Sequence, residues 1–181
     1  MNEFMKVFLL GGVWCILSCN DGSSKLENLN SPAGSNVRST SAINQIVFGV
    51  YCGECVNNCA IMYRYINGGD KNSYSIDYSD SFFNKSDVTF DSEMVDNFQF
   101  NIGDEIILSI PDTLLLSESA SERHGCPDCT DGCGIYFELT KDMKKQKFYI
   151  DYQTSELSGD IKKFAELLKD KINLLRKRNG I

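Results

Sequence analysis

Beyond residue 41 the chain alternates between short β-like runs and two stretches with helical spacing of apolar positions. Ile43–Tyr51 (INQIVFGVY) is β-branched and aromatic, which predicts a strand. Ala60–Ile66 (AIMYRYI) reads as its return strand, followed by the turn signal Asn67-Gly68-Gly69-Asp70. Ser73–Tyr78 places Tyr74, Ile76 and Tyr78 on one face, as a half-buried strand does. Asp91–Phe100 fits either a short helix with Ser92 as its N-cap or an irregular segment. In Gly103–Ile110, residues Ile106, Ile107 and Ile110 share a helical face, and Pro111 ends the element. Leu114–Leu116 is expected to be buried. The polar stretch Ser117–Cys133 contains both Gly and Pro and reads as a long loop, a type that is usually functional or crosslinked in compact domains.

Gly134–Thr140 and Lys147–Tyr152 then predict a hairpin joined by the charged turn Lys141–Gln146. The last element is a helix over Ser158–Arg178. Ile161, Phe164, Ala165, Leu168, Ile172 and Leu175 repeat at its spacing. Ser158 fits the N-cap, Asp160 the positive end of the dipole, and Arg176–Arg178 the negative end. Together these elements predict an α+β fold. Its mostly antiparallel sheet has about five strands, with the C-terminal amphipathic helix packed on it.

The first eighteen residues have a different character. Lys6 precedes an apolar run, Val7–Leu17, that is shorter than the roughly 20 residues of a spanning helix. The run ends in Ile16-Leu17-Ser18-Cys19, which resembles the lipobox of bacterial lipoproteins. That resemblance implies cleavage before Cys19 and lipidation of its sulfur. Residues 1–18 are then a signal peptide, and several acyl chains on one cysteine anchor a protein stably. Residues 19–41, rich in Ser, Asn and Gly, read as the lipidated cysteine and a flexible tether. Residues 42–181 are expected to form a single domain. The expected location is the bacterial envelope, at the outer membrane.

Net charge narrows the partners. The leader removes one acid (Glu3) and one base (Lys6), so 24 acidic and 17 basic residues remain and the balance stays at −7. That excess disfavours nucleic acid and anionic headgroups as partners. The membrane is expected as a partner only through the lipid anchor, alongside an envelope protein or ligand.

The leader also reorganises the cysteines. With Cys15 cleaved and Cys19 acylated, six of the eight remain. They form two C-x2-C-x3-C motifs, Cys52-Cys55-Cys59 and Cys126-Cys129-Cys133. An even number in an oxidising compartment favours disulfides that staple the fold, and six cysteines permit about 15 pairings. The alternative is a metal site, zinc or iron, held by the same thiolates, with His124 as a possible further ligand. Thiol–disulfide exchange at Cys-Pro-Asp-Cys is disfavoured. Asp128 and Glu54 oppose thiolate formation, and no helix N-terminus follows to lower a thiol pKa. Asp77, Asp80 and Asp87 lack the spacing of a calcium loop. No phosphate cradle or Ser/His/Asp set stands out, so a non-catalytic binding role is expected, with no cofactor unless zinc.

FGVYCGEC (Phe48–Cys55), GCPDCTDGCGIYFEL (Gly125–Leu139) and the KFYIDY-then-helix ending are similar to a family of small bacterial lipoproteins. Members pair a CGEC-like strand end with a GCPDC-like loop. The resemblance implies the location and the fold, and it carries no activity. Cys133 stands where the family motif has the first glycine of a Gly-Gly pair, which implies Cys59 as its bridge partner.

Overall fold

The computed structural model describes residues 42–56, 59–68, 73–77, 79–84, 88–90, 97–129 and 132–181. The expected leader and tether, with Cys15 and Cys19, lie outside them, as do Tyr78, Asp87 and the proposed N-cap Ser92. The elements are β1 (Ile43–Cys52), β2 (Ala60–Ile66), β3 (Ser73–Asp77), α1 (Ser81–Asn84), α2 (Asn97–Ser109), α3 (Asp112–Leu115), β4 (Ser121–His124), β5 (Cys133–Lys141), β6 (Lys144–Asp151) and α4 (Gly159–Arg178). They form an α+β fold around a six-stranded sheet of order β3-β2-β1-β5-β6-β4. All neighbours are antiparallel except the edge pair β4–β6.

Alternation along the strands gives the sheet two apolar faces. One face carries Ile46 and Phe48 of β1, Tyr63 and Tyr65 of β2, Phe137 of β5 and Phe148 of β6. The apolar stripe of α4 (Phe164, Ala165, Leu168, Ile172, Leu175) and Ile102 and Ile106 of α2 close over it in the main core. Val47, Tyr51, Met62 and Tyr136 point the other way and pack under Phe82, Val88 and Phe90. Gly103 lets α2 lie close on the sheet: a Cβ there would come within 2.5 Å of the Tyr65 ring.

Several expectations are corrected. The sheet has a sixth strand, because Ser121–His124 is not loop. It lines up in parallel beside β6, with the Lys147 N–H donating to the Ala120 carbonyl at 3.0 Å. The β5–β6 connection is two residues, not six. Asp142 and Met143 both adopt positive φ (49° and 64°), the geometry a tight hairpin needs, and Lys141 pairs directly with Lys144. Lys144, Lys145 and Gln146 therefore extend a strand. Of Leu114–Leu116 only Leu114 is fully buried, and Leu116 is 77% exposed, because α3 ends after one turn. The helix expected over Gly103–Ile110 is present and starts earlier, at Asn97. Ser158 does occupy the N-cap of α4, without a side-chain capping bond.

Candidate functional site

All six domain cysteines gather at one end of the sheet. β1 ends on Cys52 and β5 begins on Cys133, and the register sets the two directly opposite each other. The Cys52 N–H points away from β5, donating to the Cys59 carbonyl at 2.8 Å. Cys52 and Cys133 are therefore a non-hydrogen-bonded antiparallel pair, the arrangement that brings Cα atoms closest. Their Cα atoms are 4.0 Å apart and their sulfurs at disulfide distance. Cys55 pairs with Cys59 within the β1–β2 loop, and Cys126 with Cys129 within the β4–β5 turn, each with Cα atoms 5.4 Å apart. The expected Cys59–Cys133 bridge is corrected. Strand register presents Cys133 to Cys52, and Cys59 turns back to Cys55.

The Cys-Pro-Asp-Cys turn is held from several sides. Gly125 precedes it at φ 75°, and a Cβ there would meet the Asp151 side chain at 2.7 Å. That carboxylate accepts the Cys126 N–H (3.1 Å) with one oxygen and the Gln153 N–H (2.8 Å) with the other. Arg123 donates to the Pro127 carbonyl at 3.4 Å, and its guanidinium lies 5.3 Å from the Tyr149 ring centroid. Cys126 and Cys129 themselves are exposed. A cleft of about 360 Å³ is lined by both of them, Cys133 and Asp151, so two of the cysteine pairs share one surface.

Beneath the turn, Tyr51 packs against Phe82 and Tyr149, and its ring covers Gly134, where a Cβ would approach to 2.5 Å. Burial pushes the Tyr51 phenol well above its usual range, and the Asp128 charge adds to the effect. Asp128 acts on that hydroxyl electrostatically, and the Tyr51 oxygen has no hydrogen-bond partner of normal geometry. Burial likewise raises the Tyr149 pKa.

His124 closes β4 two residues before Cys126. Its Nε2 is 3.3 Å from a Glu122 oxygen, and its ring stacks over Phe148. Among the described residues no group of three or more His, Cys, Asp or Glu side chains is arranged to hold a metal ion.

A second polar cluster, on the sheet face opposite α4, was missed by sequence reasoning. Glu138 is buried within β5; it accepts a hydrogen bond from Tyr136 Oη (2.8 Å) and lies 3.7 Å from Lys145 Nζ. Across β1, Arg64 donates to Ser75 Oγ (3.1 Å), and its guanidinium lies 4.6 Å from the Phe90 ring centroid. Burial lowers the Arg64 pKa. The sequence signal was available: in GIYFELT, Glu138 shares the strand parity of Tyr136, so a core-like face carries a charge.

No protein-family model and no curated protein sequence matches the chain. No helix among the described residues is long and apolar enough to cross a membrane.

Proposed function

We propose that this chain is a lipid-anchored protein of the bacterial cell envelope, held at the outer membrane through Cys19. Residues 42–181 are then a non-catalytic binding domain, and its cysteines are structural. The observation that carries the reading is the pairing of all six domain cysteines at one sheet end. Three disulfides persist in an oxidising compartment and are rare in the cytosol. The lipobox-like Leu17-Ser18-Cys19 supplies the anchor. β1 begins opposite Lys141, at the sheet end away from the cysteines.

Intact mass with and without alkylation, combined with elemental analysis and lipid labelling, tests this. Three disulfides predict a mass about 6 Da below the reduced chain, no alkylation and no stoichiometric metal. Cys19→Ala is expected to abolish acyl labelling and release the protein from membranes. Alkylatable thiols with bound zinc or iron would overturn the structural role of the cysteines. Membrane retention of Cys19→Ala would overturn the anchor.

A further inference from the structure

On the sheet face opposite α4, strand register lays Ser75, Arg64, Val47, Glu138 and Lys147 in one row across five strands. The neighbouring row includes Gln45 and Thr140, side by side on β1 and β5. These rows floor a cavity of about 210 Å³, with Phe90 among its walls. That is about seven water volumes at ~30 Å³ each, enough for a small organic molecule. Arg64 and Glu138 flank Val47 on its two neighbouring strands, so their backbones lie about 10 Å apart, two strand spacings.

The two ends of the cavity have opposite chemistry. At one end the Arg64 guanidinium is fixed by Phe90 and Ser75, yet its Nε is buried and makes no hydrogen bond. A fixed guanidinium with an unused N–H is a carboxylate receptor. At the other end Glu138 is 6% exposed. An ionised carboxylate has about four acceptor sites. Tyr136 donates to one oxygen and Lys145 lies 3.7 Å from the other, so acceptor capacity remains for a further donor. Thr140 Oγ1, on the same strand, is also buried without a partner. Lys145 also lines the cavity, so charge alone does not select the ligand. Hydrogen-bonding capacity does, because an anion alone leaves the remaining acceptor sites of Glu138 unmet and a cation alone leaves Arg64 Nε unmet. A molecule bearing both charges satisfies both ends.

We propose that this cavity binds a small zwitterion, a free amino acid or a short peptide, with its carboxylate on Arg64 and its ammonium group on Glu138. Thr140 Oγ1, beside Glu138 on β5, takes a further polar atom of the ligand. The site names a ligand class for the binding role proposed above. It rests on that role being non-catalytic and does not depend on the lipid anchor.

The test is isothermal titration calorimetry of the oxidised mature chain with glycine, alanine, glutamine and glycylglycine, with acetate and methylamine as single-charge controls. Saturable binding of at least one zwitterion is expected, at least tenfold tighter than either control. Arg64→Lys keeps the charge and loses Nε–H, and Glu138→Gln keeps the shape and loses the charge. Each is expected to weaken binding at least tenfold with an unchanged circular dichroism spectrum. Absence of saturable heat from every zwitterion on the folded chain overturns the proposal. So does acetate binding as tightly as the zwitterions, or binding that survives both substitutions. Proton NMR of the same samples separates this inference from the one it rests on. A zwitterion returned unchanged supports a binding site, whereas a zwitterion that binds and is chemically converted overturns the non-catalytic reading and leaves the ligand class standing.

Discussion

Removing the Cys52–Cys133 bridge with the double substitution Cys52→Ala/Cys133→Ala tests how the cysteines hold the fold. The two residues are 81 apart in sequence, whereas Cys55–Cys59 and Cys126–Cys129 span separations of 4 and 3. In the chain-entropy account, a crosslink stabilises by restricting the unfolded chain, and the effect grows with the logarithm of the closed loop. The long bridge then contributes about 4.5 kcal/mol and each short one about 2 kcal/mol. Native context points the same way, because the long bridge ties β1 to β5 at the centre of the sheet. A loss of about 4.5 kcal/mol is a large share of the typical 5–15 kcal/mol of a domain. It lowers Tm by roughly 9–18 °C at about 2–4 °C per kcal/mol. Urea titration of the wild type, the 52/133 double variant and Cys55→Ala/Cys59→Ala, followed by circular dichroism, supplies the comparison. The 52/133 variant is expected to lose at least twice as much stability as the 55/59 variant. Equal losses, or the reverse order, would refute the loop-length argument.

Three further outcomes follow from named contacts. Mild reduction with stepwise alkylation and peptide mass mapping is expected to label Cys126 and Cys129 first and Cys52 and Cys133 last. The first pair is exposed and closes a small loop, whereas the second is half-buried between two central strands. Gly103→Ala is expected to destabilise by about 1–3 kcal/mol by overpacking, although alanine in a helix is intrinsically better than glycine by about 1 kcal/mol. Overpacking decides the sign because the Tyr65 ring, 2.5 Å from the new Cβ, is fully buried and its hydroxyl is bonded to Asp104; a stabilised variant in urea would show that the ring yields. Burial raises the Tyr51 and Tyr149 pKa values in the folded state, so the stability they contribute is fully present below the unfolded tyrosine value of about 10 and is lost as pH rises above it. Urea midpoints should therefore fall above about pH 10, with a shallower fall in Tyr51→Phe; an identical fall in that variant would remove Tyr51 from the explanation.

Local pattern alone determined most of the elements. β1, β2, β3, β5 and α4 are legible because each carries its own signal, β-branched and aromatic runs for the strands and a 3.6-residue apolar repeat for the helix. The even cysteine count likewise pointed to staples before any pairing was known. Features that depend on non-local partners were out of reach. β4 is four polar residues, Ser-Glu-Arg-His, and it is a strand only because the edge of β6 offers it unpaired backbone groups. The tight hairpin at Asp142-Met143 carries no glycine to announce its left-handed turn.

Disulfide connectivity shows the same division. Spacing could not choose among the pairings and the resemblance implied Cys59 for Cys133, whereas the register of β1 against β5 set Cys52 opposite it. The opposed charges of Arg64 and Glu138 stand 74 residues apart in the chain, and β1 holds them two strand spacings apart. Sequence therefore determined which segments form strands and helices and which of their faces are apolar, because period and propensity act over a few residues. Tertiary structure decided which side chains meet, because a one-residue change in strand register would turn every one of them to the other face.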